Sequence, residues 1–459
     1  MKNFKPEKVF AVLALTFGIL FVFLTPPFQS PDEDSHFKKA YLVSKGNLYP
    51  TVENKMLGNY LPKEMLEYIN EKLGYIGDRD RKYTYSEAVD DQVYYMDHNN
   101  KVFNSYSTAS TSFVAYIPPA IGIAISRVLG TGASTTYMLY FARICSLIFS
   151  IFLIYHAIKI TPILKKTMTV IALMPMSIFL MSMVTYDNIV ISFSLFTAAY
   201  ILRMIYDDKI KKIDKKSIII LILLGFILFN YKMIYSSIFI LLLFVPKEKF
   251  GSLKNKIISF IIIGSSIIAL TMLFKMPMLF LPEVSNNSGK LTSMQTSFVK
   301  NNLGKYLVIL FKNIYGQKSY QITSMVGTFG LIDTYLPSPI IFFYVGLLVS
   351  MGLTEHIDDK HKVKISLKLS MLFIVVLSVI AIYTVMYISW TPQVTGKIGT
   401  SDISGVQGRY FIPLLFPALI LLSNKKLGKK FKVIKDYYII GIVITLMISS
   451  LTLLLRFWV

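Results

Sequence analysis

The residues able to do chemistry gather in one short stretch, Pro31-Asp32-Glu33-Asp34-Ser35-His36-Phe37, directly behind the first apolar segment. Charge at a membrane boundary is costly unless it is solvated or used. A carboxylate there could take the proton of an acceptor hydroxyl. Cations, or a divalent metal such as Mg or Mn held by carboxylates, could offset charge on a departing phosphate. Further candidates lie far along the chain. They are Arg143, Asp187 in Thr185-Tyr186-Asp187-Asn188, Lys232 after Tyr231, Asp333 in Gly327–Pro337, and Gln407, Arg409 and Tyr410 in Gly405-Val406-Gln407-Gly408-Arg409-Tyr410-Phe411. Asp32, Glu33 and Asp187 are the expected catalytic acids and the ligands of any metal. His36, Arg143, Lys232, Asp333, Gln407, Arg409 and Tyr410 are expected to hold substrate.

Each has a plainer role available. Ser30-Pro31-Asp32-Glu33 would start and cap a helix over His36–Ser44, and Asp187 could cap the next span. Lys232 and Arg409 could snorkel to headgroups, although glycines flanking Arg409 would let backbone approach a ligand. His36 could be a structural hydrogen-bonding group.

The elements that must position these residues are membrane helices. The 459-residue chain is 54% apolar with a mean hydropathy of +0.55, and its apolar runs approach the span length of about 20 residues. The fold class expected is an all-α polytopic membrane protein forming a single membrane domain over residues 1–459. The single cysteine, Cys145, excludes an intramolecular disulfide and any Cys-based metal site. The net charge of +22 is not a nucleic-acid signature, because the basic residues fall in short clusters between apolar runs, as cytosolic loops do. Abundant Lys, Ile and Asn suit an AT-rich bacterial genome. The first segment, about 8–24, is followed by Thr25-Pro26-Pro27-Phe28-Gln29, which offers no small-x-small cleavage site, so it reads as a retained anchor.

Charge decides the topology. Spans are expected at 8–25, 135–158, 167–185, 187–206, 216–230, 233–246, 257–280, 339–353, 367–389, 411–424 and 437–456, about 11 in all. With the N-terminus cytosolic and the C-terminus outside, short cytosolic loops carry more than half of the 48 Lys and Arg. If Phe113–Leu129 crossed, every later cluster would change side, so it is expected to re-enter or lie on the surface. Ser217–Val245 splits into two short spans turning at Tyr231-Lys232 on the same argument. Long outer loops follow at 28–134, with a short helix over Leu61–Leu73 begun by Pro62, and at 281–338, with an amphipathic stretch over Phe298–Tyr315. Two further polar clusters, Asp207-Asp208 and His356-Ile357-Asp358-Asp359-Lys360-His361, fall in cytosolic turns and read as solvated loops.

Pro31-Asp32-Glu33-Asp34-Ser35-His36-Phe37, with Gly327–Pro337 and Gly405–Pro413, resembles three signatures of a large domain-of-unknown-function family of predicted bacterial membrane proteins. Tyr116-Ile117-Pro118-Pro119 is a looser form of that family's Tyr-Pro-Pro stretch. The family is in turn similar to integral-membrane glycosyltransferases of the GT-C class. That resemblance implies an outer-face site, a polyprenyl-phosphate-sugar donor, a catalytic acid in the first outer loop, jaw-like surface helices there and a second acid matching Asp187. The function expected is transfer of a sugar from a polyprenyl-phosphate carrier to a cell-surface polysaccharide, teichoic acid or glycolipid at the bacterial plasma membrane. The partners expected are the lipid bilayer, the lipid-linked sugar and a glycan or lipid acceptor, with no nucleic acid. A polysaccharide polymerase or ligase using a diphosphate-linked chain is the nearest alternative. A transporter or flippase would want charge along the middle of several spans, and these spans have little.

Overall fold

The computed structural model describes residues 5–74, 78–92, 95–283, 287–355, 363–424, 426–427 and 437–459. The cluster His356–His361 and most of the basic stretch 425–435 lie outside the described residues. Among the described residues, seven helical stretches are by length and composition long and apolar enough to cross a membrane: Pro6–Leu24, Thr135–Ile160, Asp187–Tyr206, Lys215–Phe244, Leu253–Phe280, Ile365–Thr395 and Tyr438–Phe457. Shorter apolar helices cover Phe113–Val128, Ser338–Thr354 and Gly408–Leu422.

In chain order, α1 (Pro6–Leu24) leads to α2 (Glu33–Ser44), then β1 (Thr51–Glu53), β2 (Met56–Pro62), α3 (Lys63–Leu73), α4 (Tyr85–Asp90) and β3 (Lys101–Ser105). The three strands pair antiparallel in the order β1-β2-β3, with Gly58 opposite both Thr51 and Ser105. This small sheet, which an all-α reading did not anticipate, gives the first loop a rigid floor. Its own core is built from Phe28, Phe37, Leu61, Met65, Tyr68 and Ile69. α3 begins directly after Pro62, as its fixed φ favours.

α5 (Ile117–Val128) follows a 3-10 turn over Phe113–Tyr116. Its 12 residues reach about 18 Å, well short of the roughly 30 Å of hydrocarbon. It runs antiparallel against the first half of α6 (Thr135–Ile160), so closely that a Cβ on Gly122 would lie 2.2 Å from the Phe141 carbonyl. Phe113–Leu129 therefore turns back at the end of the bundle where α6 begins.

The expected span over 167–185 is instead two short helices, α7 (Lys165–Ala172) and α8 (Pro175–Met181). Pro175 lacks the N–H that a continuous helix needs, and every residue from Thr167 to Thr185 is buried. Being apolar all round, the pair forms the centre of the bundle. The buried Glu355 carboxylate accepts from the Lys166 and Thr167 backbone N–H groups at 2.9 and 2.6 Å, satisfying the start of α7.

α9 (Asp187–Tyr206) is followed by α10 (Lys215–Lys232) and a 3-10 segment over Met233–Phe244. The chain reverses at Lys232. Gly225 faces the ring of Phe239, and the Ile213 N–H bonds the Lys249 carbonyl at 2.7 Å. The turn expected at Tyr231-Lys232 is thus present. Then come α11 (Leu253–Lys275), α12 (Asn287–Asn301), α13 (Leu303–Gly316), α14 (Lys318–Gly327), the β4–β5 hairpin (Thr328–Phe329 and Thr334–Tyr335), α15 (Ser338–Thr354), α16 (Ile365–Val385), α17 (Thr391–Thr395), a 3-10 segment over Gly408–Leu414, α18 (Leu415–Leu422) and α19 (Tyr438–Phe457).

The bundle has two chemically distinct ends. At one, the Trp458 indole donates to the Leu24 carbonyl at 2.9 Å, placing the last helix end beside the first. At the other lie Lys165, Lys249 and Lys368, whose ammonium groups donate to carbonyls at helix ends: Lys159 for Lys165, Met204 and Asp207 for Lys249, Leu421 and Ser423 for Lys368. The start of α1 and the end of α19 are therefore at opposite ends.

Candidate functional site

Asp32 precedes α2 in a left-handed conformation, φ 62° and ψ 10°, and makes no capping hydrogen bond. Aspartate tolerates this region better than most residues. Its side chain is 62% exposed and lies 3.6 Å from Nη2 of Arg409. The capping role open to it in the sequence is thus not taken up. Asp34 pairs with Lys38 one turn on, at 3.1 Å.

Asp187 opens α9 and is buried. Its Oδ1 accepts from Nζ of Lys232 at 2.7 Å, and its Oδ2 lies 3.3 Å from Nε of Arg409. Both cations are brought by distant elements, Lys232 by the α10 turn and Arg409 by the 3-10 segment after the Gly405–Gly408 loop. Gly405 has φ +83°, and a Cβ on Gly408 would sit 2.1 Å from the Gln321 carbonyl and 2.2 Å from the Met325 N. Gly408 lets the loop press on α14 and Gly405 lets it press on Trp390, rather than on a ligand, and together they aim Arg409. Nε of Arg409 is buried and, beyond its ion pair with Asp187, makes no hydrogen bond.

A tyrosine box surrounds the charges. Lys232 Nζ lies 3.9 Å from the centre of the Tyr410 ring and 5.5 Å from that of Tyr186, within cation–π range. The Tyr235 hydroxyl donates to the Tyr410 carbonyl at 2.6 Å. Nδ1 of His36 is 2.8 Å from the Tyr116 hydroxyl, and its ring meets Tyr186 edge-on at 4.9 Å. Burial pushes the His36 imidazole down to about 4, with Arg409 adding to the drop and Asp32, Asp187 and Asp34 opposing it. The ring is uncharged at neutral pH.

Glu33 and Arg143 are held elsewhere. They face each other in a fully buried two-pronged pair, Nε to Oε1 at 2.9 Å and Nη2 to Oε2 at 2.6 Å. The remaining guanidinium donors go to the carbonyls of Val22, Thr25 and Pro26, and the Val184 N–H donates to Oε1 at 3.0 Å. Both groups are thereby engaged in tying α1, α2, α6 and the turn before α9 together, and neither is open to solvent. Asp333 is likewise apart, pairing with Arg456 of α19 at 2.7 Å. Gln407 lies on the same loop as Arg409, and its carbonyl accepts from the Tyr410 N–H.

The three acids expected to hold a metal do not converge. Glu33 is saturated by Arg143, and Asp187 is bracketed by two cations. Among the described residues no group of three or more His, Cys, Asp or Glu could hold a metal ion. The donor set present suits an anion, not a cation.

The arrangement Asp32–Arg409–Asp187–Lys232 spans nearly the whole chain, and one family model spans it as well. A model described as a predicted membrane protein family, DUF2142, matches residues 15–417. The chain belongs to this family. No curated protein and no solved structure matches it. All four charged groups of this DUF2142 chain lie inside the matched residues, whereas α19, with Arg456, lies beyond them.

Sequence reasoning missed the tyrosines as a group. The signal was there, since a tyrosine adjoins a charged residue in Tyr186-Asp187, Tyr231-Lys232 and Arg409-Tyr410.

Proposed function

We propose that the protein is a glycosyltransferase acting at the extracellular face of a bacterial plasma membrane, with a polyprenyl-phosphate-linked sugar as donor. The observation that carries it is the exposed Asp32 carboxylate set against a buried Arg409–Asp187–Lys232 array at one end of the bundle. The opposite end gathers the basic loops, and the positive-inside bias assigns that end to the cytosol.

In this reading Asp32 accepts the proton of the acceptor hydroxyl while its oxygen attacks the anomeric carbon. The bond from that carbon to the phosphate oxygen breaks, and the phosphate departs with the electron pair. Arg409 and Lys232 offset its charge in a site that burial keeps at low dielectric. Asp187 positions both cations. A groove of about 470 Å³ runs between α5, α6, α9 and α10, lined by apolar side chains and Cys145, among them Ala115, Ile117, Phe149, Ile189 and Ile227. Its wall reaches within two residues of Asp187 and suits an isoprenoid tail.

The test is sugar transfer by purified protein in lipid nanodiscs from a polyprenyl-phosphate sugar to an envelope-glycan acceptor. Asp32→Asn is expected to lower kcat about 100-fold or more without a change in the unfolding midpoint. Full transfer by Asp32→Asn would remove Asp32 from the reaction.

A further inference from the structure

A second cavity, polar and of about 230 Å³, lies between the first loop and the Tyr231 turn. Tyr186 and Tyr231, whose rings are 6.0 Å apart, line it. Its lining includes Lys39, Ser112, Asn230 and Lys275, and no acidic residue. Lys39 is 1% exposed, and its ammonium donates to the Leu48 and Ala109 carbonyls, both at 3.0 Å. An ammonium has three donors, and among the described residues no carboxylate pairs with this one. A buried cation without a counter-charge is unfavourable, and burial pushes this amine down to about 8. Two further groups on the lining have no partner, the buried Ser112 hydroxyl and the Asn230 side-chain carbonyl. Aromatic walls close the cavity, with Phe113 stacked on Phe274 at 5.5 Å and meeting Tyr49 edge-on at 6.2 Å.

We propose that this cavity binds a sugar carrying an anionic group, a carboxylate or a phosphate, with Lys39 and Lys275 facing the anion. Ser112 and Asn230 offer an unspent donor and acceptor to ring hydroxyls, and the aromatic walls offer flat apolar faces to the sugar ring. The inference rests on the cavity alone and not on the transfer reaction.

The experiment is isothermal titration of the full chain in nanodiscs with glucuronate, glucose 6-phosphate, inorganic phosphate and glucose. One of the two charged sugars is expected to bind about tenfold more tightly than glucose, and which one does identifies the anion as carboxylate or phosphate. Lys39→Met keeps the buried stem and is expected to abolish that preference. Lys275→Gln, at the exposed rim, keeps the fold and is expected to reduce it several-fold. Equal affinity for glucose and both charged sugars would overturn the proposal. So would inorganic phosphate binding as tightly as the charged sugar, or a preference that survives both substitutions. Sugar transfer is not read, so the outcome is separate from that of the transferase assay.

Discussion

Asp32 and Glu33 are neighbours in sequence and opposite in circumstance. The left-handed backbone at Asp32 turns its carboxylate out to solvent and Arg409, while Glu33, on the first turn of α2, points inward to Arg143. Glu33→Gln leaves a buried guanidinium without its counter-charge, and removing one partner of a buried pair costs about 3–5 kcal/mol. The expected result is a lowered unfolding midpoint and poor yield, where Asp32→Asn unfolds like the parent. His36 gives a pH signature. Its folded value of about 4 lies below the ordinary 6.5, so between those values the unfolded chain binds the proton and the folded chain does not. Its contribution to stability is complete above about pH 6.5 and falls as pH drops toward 4. His36→Asn should flatten that part of a plot of unfolding midpoint against pH in detergent, and an unchanged slope would refute the assignment. Which residues carried charge at this end was legible in the sequence, because loop charge gathered Asp32, Asp187, Lys232 and Arg409 on one side. The Glu33–Arg143 pairing was not, since the two meet across 110 positions and nothing local marks the contact.

At the scale of elements, the site depends on how closely the 405–411 loop lies against α14. The Gly408 N–H donates to the Ser324 hydroxyl at 2.9 Å, and the Gln321 amide donates to the Val406 carbonyl at 3.2 Å. Gly408→Ala places a methyl group on the backbone of α14 and should lift the loop and Arg409 with it. The expected outcome is a loss of sugar transfer comparable to Arg409→Ala, with Arg409 itself intact, as an activity assay on the two variants would show. Long apolar periodic stretches such as α1, α6, α9, α16 and α19 were readable, their ends falling within a few residues of expectation. The 167–185 region misled, because an unbroken apolar run does not say that Pro175 divides it or that protein surrounds it on every side. The β1–β3 sheet escaped because its strands are short and β2 is separated from β3 by the α3–α4 region.

At the scale of the molecule, the charge asymmetry makes a prediction about sidedness. In a Cys145→Ser background, a cysteine at the exposed Lys397, on the site end, should react with an impermeant maleimide in intact cells. One at the exposed Asp208, on the basic end, should react only after permeabilisation. Labelling of both in intact cells would defeat the orientation. The Glu33–Arg143 tie carries a further consequence, for the order in which the protein is made. Its two partners come from the first third of the chain, so this clasp can close soon after α6 is threaded into the bilayer. Asp187 must wait for Lys232, and then for Arg409, more than 200 positions behind it. Until Arg409 is made, that carboxylate stands at the membrane edge with at most one of its two counter-ions. The acid that positions the finished site is the part of the nascent chain most in need of water, or of a chaperone, until the last quarter arrives.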